Sequence, residues 1–233
     1  MKKVITNWIN NNSHFKKESW DFDMTAKRII SCLSNHQLTY DDNDKEYRSI
    51  FDHMIQKQTN HLLNEIKNSK DLENKIIGCT AIILTGLCYK INKNYLEIGL
   101  SFLKKITVSS IDNQGFTRSR NIKQLIFFLK YFVLIREWFK EAQVEVPDHI
   151  EENIYYFGQG YAFIRQNIAT DLLFNGNNNS NTQDFDHYLS RHGYKFRNEN
   201  KDYGGYIILK NKKICLAMDA GSSPNSKYTH DYQ

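Results

Sequence analysis

Apolar residues recur at three- and four-residue steps over roughly the first 165 positions, the period of helices with one buried face. Between positions 44 and 68, Tyr47, Phe51, Met54, Ile55, Gln58, Leu62 and Ile66 make one such stripe. From 75 to 89, Ile76, Ile77, Ala81, Ile83, Leu84 and Leu87 leave almost no polar side, which predicts a helix buried nearly all round. Leu96, Gly99, Phe102, Leu103 and Ile106 repeat the pattern, and Ser109 to Gly115 then carry turn chemistry. The longest helix is predicted over 119–144, with Leu125, Ile126, Leu129, Phe132, Val133, Arg136 and Phe139 at helical spacing. Pro147 opens another, along which Ile150, Ile154 and Phe157 share a face.

The pattern changes after about 168. Asp171 to Phe174 is a short run with three apolar residues, and Asn175 to Asn181 reads as a loop. Thr182 is placed to cap a short helix that ends at Gly193. Residues 205–210 and 213–218 are strand-like and flank Asn211-Lys212, a hairpin signal. Helices first and strands last predict segregated layers rather than an alternating α/β fold. No fixed repeat is evident, which favours a toroid of helical hairpins over a regular solenoid. The expected fold class is mainly α: an incomplete (α/α) toroid, then the first strands of an antiparallel β domain. The expected divisions are 1–168 for the toroid, 169–202 for a linker with the Asn-rich loop and short helix, and 203–233 for the opening of a β-sandwich. An isolated hairpin is marginal in water, so the strands after Tyr203 need partners. A partial chain is expected, with the rest of the β domain following Gln233.

The net charge of +5 and pI of about 8.8 suit an acidic partner. No run of like charge is long enough for a nucleic-acid arm, and no apolar run approaches the ~20 residues of a membrane span, so neither partner is expected. Aromatics at 13% must be buried or must stack on something. Cys32, Cys79 and Cys88 fall in apolar helical runs and Cys215 in a strand; none forms a C-x-x-C pair, so buried thiols are expected and no metal or cofactor is implied. The N-terminus is basic, but Asn7 and Asn10 to Asn12 interrupt any apolar signal region, which leaves a cytoplasmic location as the default.

Several short stretches resemble the heparinase II/III-like family in order and spacing. Trp20-Asp21 followed by Thr25 to Ser31 is similar to its Trp-Asp-Pro segment and the helix with an Arg-Ile pair. Ala81 to Leu87 resembles its buried helix ending near Gly-Leu, and Asp112 to Ser119 its Asp-Gly-Gly-His-Phe-Glu-Arg-Ser loop. Leu172 to Gly176 resembles its Leu-Phe-Asn-Asp turn, and Gly205-Tyr206 with Met218 to Gly221 the first hairpin of its β domain.

The resemblance implies an α/α toroid with a β-sandwich and a carbon–oxygen lyase that cuts uronate-containing polysaccharides, glycosaminoglycans among them, by β-elimination. Such chemistry needs a group that neutralises the uronate carboxylate, and a Tyr or His that takes the C5 proton. The positions set against the family's catalytic groups are Glu73, Asn74, Gly115, Ile122 and Gln233, so no catalytic residue carries over. The alternative is a non-catalytic glycan-binding or helical scaffold relative. Family members are often periplasmic. The candidate substrate-binding residues are Trp20, Arg28, Arg118, Ser119, Asn175 and His230. Trp20 stacks on a sugar or seals the first helical pair; Arg28 packs, forms an ion pair or meets ligand; Arg118 beside Ser119 faces an anionic sugar or caps loop carbonyls. Asn175 shapes its turn, and His230 reaches a cleft or sits in a tail.

Overall fold

The computed structural model describes residues 1–89, 94–167, 174–175 and 183–222. Its elements run α1 Lys2–Asn12, α2 Phe22–Ser34, α3 His36–Thr39, α4 Lys45–Glu65, α5 Leu72–Cys88, α6 Tyr95–Ser110, α7 Ile122–Glu141, α8 Asp148–Asn167 and α9 Gln183–Arg191. Three short strands follow, β1 Asp202–Tyr203, β2 Tyr206–Lys210 and β3 Cys215–Asp219, paired antiparallel in that order. The fold is therefore mainly helical, with helices first and a small antiparallel sheet last. The Thr182 cap, Leu172 and Leu173, most of the Asn-rich loop, and His230 lie outside the described residues.

Side chains start several helices. Asp44 accepts from the Tyr47 amide at 2.9 Å ahead of α4, and Asp71 accepts from the Asn74 amide at 2.9 Å ahead of α5. Asn121 does the same for the Gln124 amide at 3.1 Å ahead of α7, and Pro147 precedes α8.

By packing, the chain divides into two compact units, Met1–Ile106 with Glu137–Val144, and Thr107–Arg136 with Glu145–Gln233. In the first, α5 is the axis, buried at every position from Ile76 to Leu87, with α2 and α4 against it. The two polar groups that meet there are satisfied: Thr59 and Thr85 lie 3.1 Å apart, one donating to the other, and each hydroxyl also lies within reach of the carbonyl four residues back, at 2.9 Å. In the second unit Phe128, Phe132 and Phe157 interlock edge to face at centroid distances of 5.8 and 5.3 Å. Asp186 ties α9 to α8 through Arg165 at 2.9 Å and the Tyr161 hydroxyl.

The start of the chain is helix α1, in line with the helical period of the first 165 or so positions. Other expectations are corrected. The β2–β3 loop spans four residues, not two, because Lys210 pairs with Cys215 and the Asn211 carboxamide accepts from the amides of Lys213 and Ile214, both at 2.8 Å. Strand β1 was not anticipated. It joins β2 through Gly204-Gly205, whose φ angles of 59° and 81° make the two-residue turn that fits the twist of paired strands. Cys32 and Cys79 are buried, but Cys88 and Cys215 are exposed. Cys215 opens β3, which among the described residues pairs with β2.

Candidate functional site

The segment 111–121, in the second unit, is built as a closed loop. An isolated bridge pairs Ile111 with Thr117, and the Asp112 amide donates to the Phe116 carbonyl at 2.8 Å. The Asp112 carboxylate turns inward and accepts from the amides of Gln114 and Phe116, at 2.8 and 2.9 Å. Gly115 has φ +79, and a Cβ placed on it would lie 2.2 Å from Cβ of Tyr156. No side chain fits there. The position that the resemblance sets against a catalytic His is thus closed to any imidazole by the path of α8.

We expect Gly115→Ala to cost about 2–3 kcal/mol, combining left-handed strain with overpacking against α8. Equilibrium denaturation measures it, and a loss under about 0.5 kcal/mol would show that the loop can shift away from α8.

The loop is fastened to the sheet. Gln114 accepts from the Gly204 amide at 3.1 Å through its side chain, and from the Tyr203 hydroxyl at 2.6 Å through its carbonyl. Phe116, fully buried, fills the space under the turn, with ring centroids 6.2 Å from Tyr203 and 5.9 Å from Tyr206. Beyond it lies a clasp. Arg120, itself at φ 52, places Nη1 2.6 Å from one Asp219 oxygen, an ion pair out of line for a hydrogen bond, and donates from Nη2 to the other oxygen at 3.2 Å. Asn175 donates to Asp219 at 3.0 Å and to the Tyr206 hydroxyl at 2.8 Å, and Tyr206 donates to the Arg120 carbonyl at 2.5 Å. A Cβ at 221 would meet Nη1 of Arg120 at 1.9 Å, so a side chain there would push the guanidinium away from its place.

Within this network the Arg120 Nε and Nη1 make no hydrogen bond among the described residues, although Nη1 lies in the ion pair with Asp219. The Arg120 charge is matched by Asp219, so the clasp holds the loop, the Asn175 turn and the hairpin in place rather than offering a cation to a ligand. The open surface beside it is aromatic. Tyr155 and Tyr156 on α8 are exposed and meet edge to face at 5.4 Å. Tyr203 stands next to them, its hydroxyl pKa pushed up to about 12 by burial first and then by Asp112, Tyr155 and Tyr156. Its hydroxyl proton is used on the Gln114 carbonyl. Tyr40, Tyr47, Tyr89 and Tyr95 also move upward, each led by burial.

Of the residues singled out in the sequence, Ser119 and Asn175 fall in this neighbourhood. Ser119 is buried and donates to the Gln124 side chain at 2.7 Å while accepting from the Asn121 amide at 3.2 Å, a helix-start role. Arg118 is exposed, and its amide donates to the Ser110 carbonyl at 2.8 Å. Trp20 and Arg28 belong to the first unit. The Trp20 ring is 5% exposed, with its indole N–H on the Asn12 carbonyl at 3.1 Å. Arg28 donates to the Ser19 carbonyl at 2.7 Å and the Gln58 side chain at 3.2 Å. Glu73 and Asn74 lie in the first turn of α5, Ile122 is buried, and Gln233 lies outside the described residues. Sequence reasoning did not find Arg120, Asp219, Tyr206 or Gln114. The adjacent glycines at 204 and 205 were the available signal for the turn that Gln114 grips.

Comparison with solved structures supplies the deciding likeness. The crystal structure of heparinase III superposes with a TM-score of 0.66 over 90% of this chain, at 15% sequence identity. The chain shares the fold of part of heparinase III. It spans 38% of that protein's length. No protein-family model matches the sequence, and no curated protein matches it. The likeness to heparinase III agrees with the fold class expected above, a helical toroid followed by the start of a β domain.

Among the described residues no helix is long and apolar enough to cross a membrane, and no group of His, Cys, Asp and Glu is arranged to hold a metal ion.

Proposed function

We propose that this chain is a heparinase-like protein that binds acidic polysaccharide on the tyrosine surface beside the 112–116 loop. One observation carries the reading. Exposed Tyr155 and Tyr156 lie against the loop that resembles the family's Asp-Gly-Gly-His-Phe-Glu-Arg-Ser loop, on a fold like part of heparinase III. Aromatic faces pack on the C–H faces of sugar rings, and phenol hydroxyls bond to sugar hydroxyls. Arg118 and the net charge of +5 favour a uronate-bearing chain over a neutral one.

The fold likeness supports a second reading, cleavage by β-elimination. That step needs a cation or amide on the carboxylate, a base for the C5 proton, and an acid for the leaving oxygen. Gly115 and Ile122, which stand at two of the family's catalytic positions, supply none of these. Binding without cleavage is the reading favoured for the chain by itself.

Acidic glycans immobilised on a matrix test both. Retention is expected with no rise in ultraviolet absorbance from unsaturated uronates when the glycan is free in solution. Replacing both Tyr155 and Tyr156 by Ala is expected to weaken binding about tenfold, the loss of one to two aromatic contacts. A rise in absorbance that tracks protein concentration would establish the lyase reading instead. Equal retention by the double variant would remove the tyrosine surface from the site.

A further inference from the structure

The first unit carries a cavity of about 280 Å³ beside α1 and α4. Its apolar wall includes Trp8 and Trp20, and its rim carries Asn12, Ser49, His53 and Lys57. The volume is at the small end of ligand pockets, the size of one ring rather than a chain of them.

Charge gives the cavity its sign. No carboxylate lines it. Lys57 donates to the Ser13 carbonyl and stands 5.7 Å over the Trp20 ring, so its contacts are neutral. Behind the wall, Arg28 lies 4.0 Å over the Trp8 ring. Its hydrogen bonds go to the Ser19 carbonyl and the Gln58 side chain, again neutral groups. Two cations thus converge on one pair of indoles with no anion among these partners. A half-buried guanidinium without a carboxylate is an unusual expense for a fold, and an anionic guest offsets it.

The rim gives the chemistry. Ser49 and the His53 imidazole make no hydrogen bond to any described residue, and the Asn12 amide nitrogen is used on the Trp8 carbonyl at 2.9 Å, which leaves its side-chain oxygen as an acceptor. These groups ask for hydroxyls that both give and take hydrogen bonds. An aromatic acid would satisfy the wall and Lys57 but would leave the rim unmet. A pyranose ring carrying an acid group satisfies all three.

We propose that this cavity is a subsite for one anionic sugar unit, a uronate or sulfated pyranose, with its ring against the part-exposed Trp8 indole and its acid group toward Lys57. The choice of a sugar shares its ligand class with the function proposed above and rests on it in that respect. The site itself is carried by residues of the other unit, so the two ideas fail separately.

The test uses tryptophan emission of the full chain in a Trp138→Phe background, which leaves Trp8 and Trp20 as the emitting indoles. Glucuronate and glucose 6-sulfate are titrated against glucose. A saturable change in emission is expected with at least one of the two anions, at least tenfold tighter than with glucose. Lys57→Met is expected to weaken the anion about tenfold and leave the glucose response as it was. Ser49→Phe, an exposed position on the rim, fills the opening and is expected to abolish the change, with circular dichroism confirming that the helices remain. Equal response to glucose and both anions, or an unchanged response in Lys57→Met and Ser49→Phe, would overturn the subsite. The Tyr155→Ala, Tyr156→Ala variant is expected to keep this signal, so loss of glycan retention there and loss of emission change here report on different claims.

Discussion

Phe116→Ala is expected to lower the unfolding free energy by about 3–5 kcal/mol, the range for emptying the site of a fully buried phenylalanine. The cost sits at the upper end for a structural reason. The ring is enclosed by Tyr203, Tyr206 and the Gly204 turn, and its closest approach to a Cβ built on Gly204 is 2.4 Å. Those walls are pinned: Gln114 holds the turn by two hydrogen bonds, and Asp112 holds the loop by two more. A pinned site cannot collapse into the void, so the cavity persists and its lining loses contacts outright. Urea denaturation followed by circular dichroism measures the effect. Phe116→Leu refills much of the space and is expected to cost less than half as much. A loss under about 1 kcal/mol for the alanine variant would show that loop and sheet are not packed as described.

The second large effect is at the clasp. Asp219→Ala leaves the Arg120 guanidinium, 10% exposed, without its anion, and takes a partner from Asn175. Removing one member of a buried pair costs about 3–5 kcal/mol, and the low end applies because the Asp219 side chain is 22% exposed. The double replacement Arg120→Ala with Asp219→Ala is expected to cost less than the sum of the single ones, with a coupling of about 1–3 kcal/mol. Additive losses in this double-mutant cycle would mean that the two charges do not depend on each other. Amide exchange locates the damage: protection should fall in the hairpin and the 111–121 loop ahead of α5, whose amides are deep in the other unit.

The helices were legible in the sequence because their apolar residues repeat at the period of the element that buries them. The stripe through Phe51, Ile55 and Leu62, and the nearly all-apolar run from Ile76 to Leu87, each specify their own burial. At the start of the chain the asparagines interrupt an apolar signal region, and they weaken a helix without forbidding it. In α1 the Asn12 side chain spends itself on the Trp8 carbonyl inside the helix instead of breaking it. Strand β1 is two residues long and carries no alternation, so only Gly204-Gly205 advertised it.

The clasp was illegible for a different reason. Arg120 and Asp219 are 99 positions apart, and nothing local to either predicts the other. Arg118 looked the better candidate because of its place beside Ser119 in a familiar loop pattern. A left-handed backbone at Arg120, rare for an arginine, turns the chain and sends that side chain to Asp219 instead. Cysteine burial failed at Cys215 since a strand residue is covered only when something lies over its face, and the sequence of one strand does not say whether anything does.

The exposed apolar residues of β3 have a consequence for handling the protein. Among the described residues β3 pairs with β2 alone, and Leu216, Met218 and Ile214 present apolar side chains to water along it. Such a margin is a template for unwanted growth of one molecule onto the next. Lys210, Lys212 and Lys213 cluster at its tip and act as gatekeepers by mutual repulsion. Salt shortens the reach of that repulsion. Concentrated stocks are therefore safest at low ionic strength, the reverse of the usual habit for a basic protein.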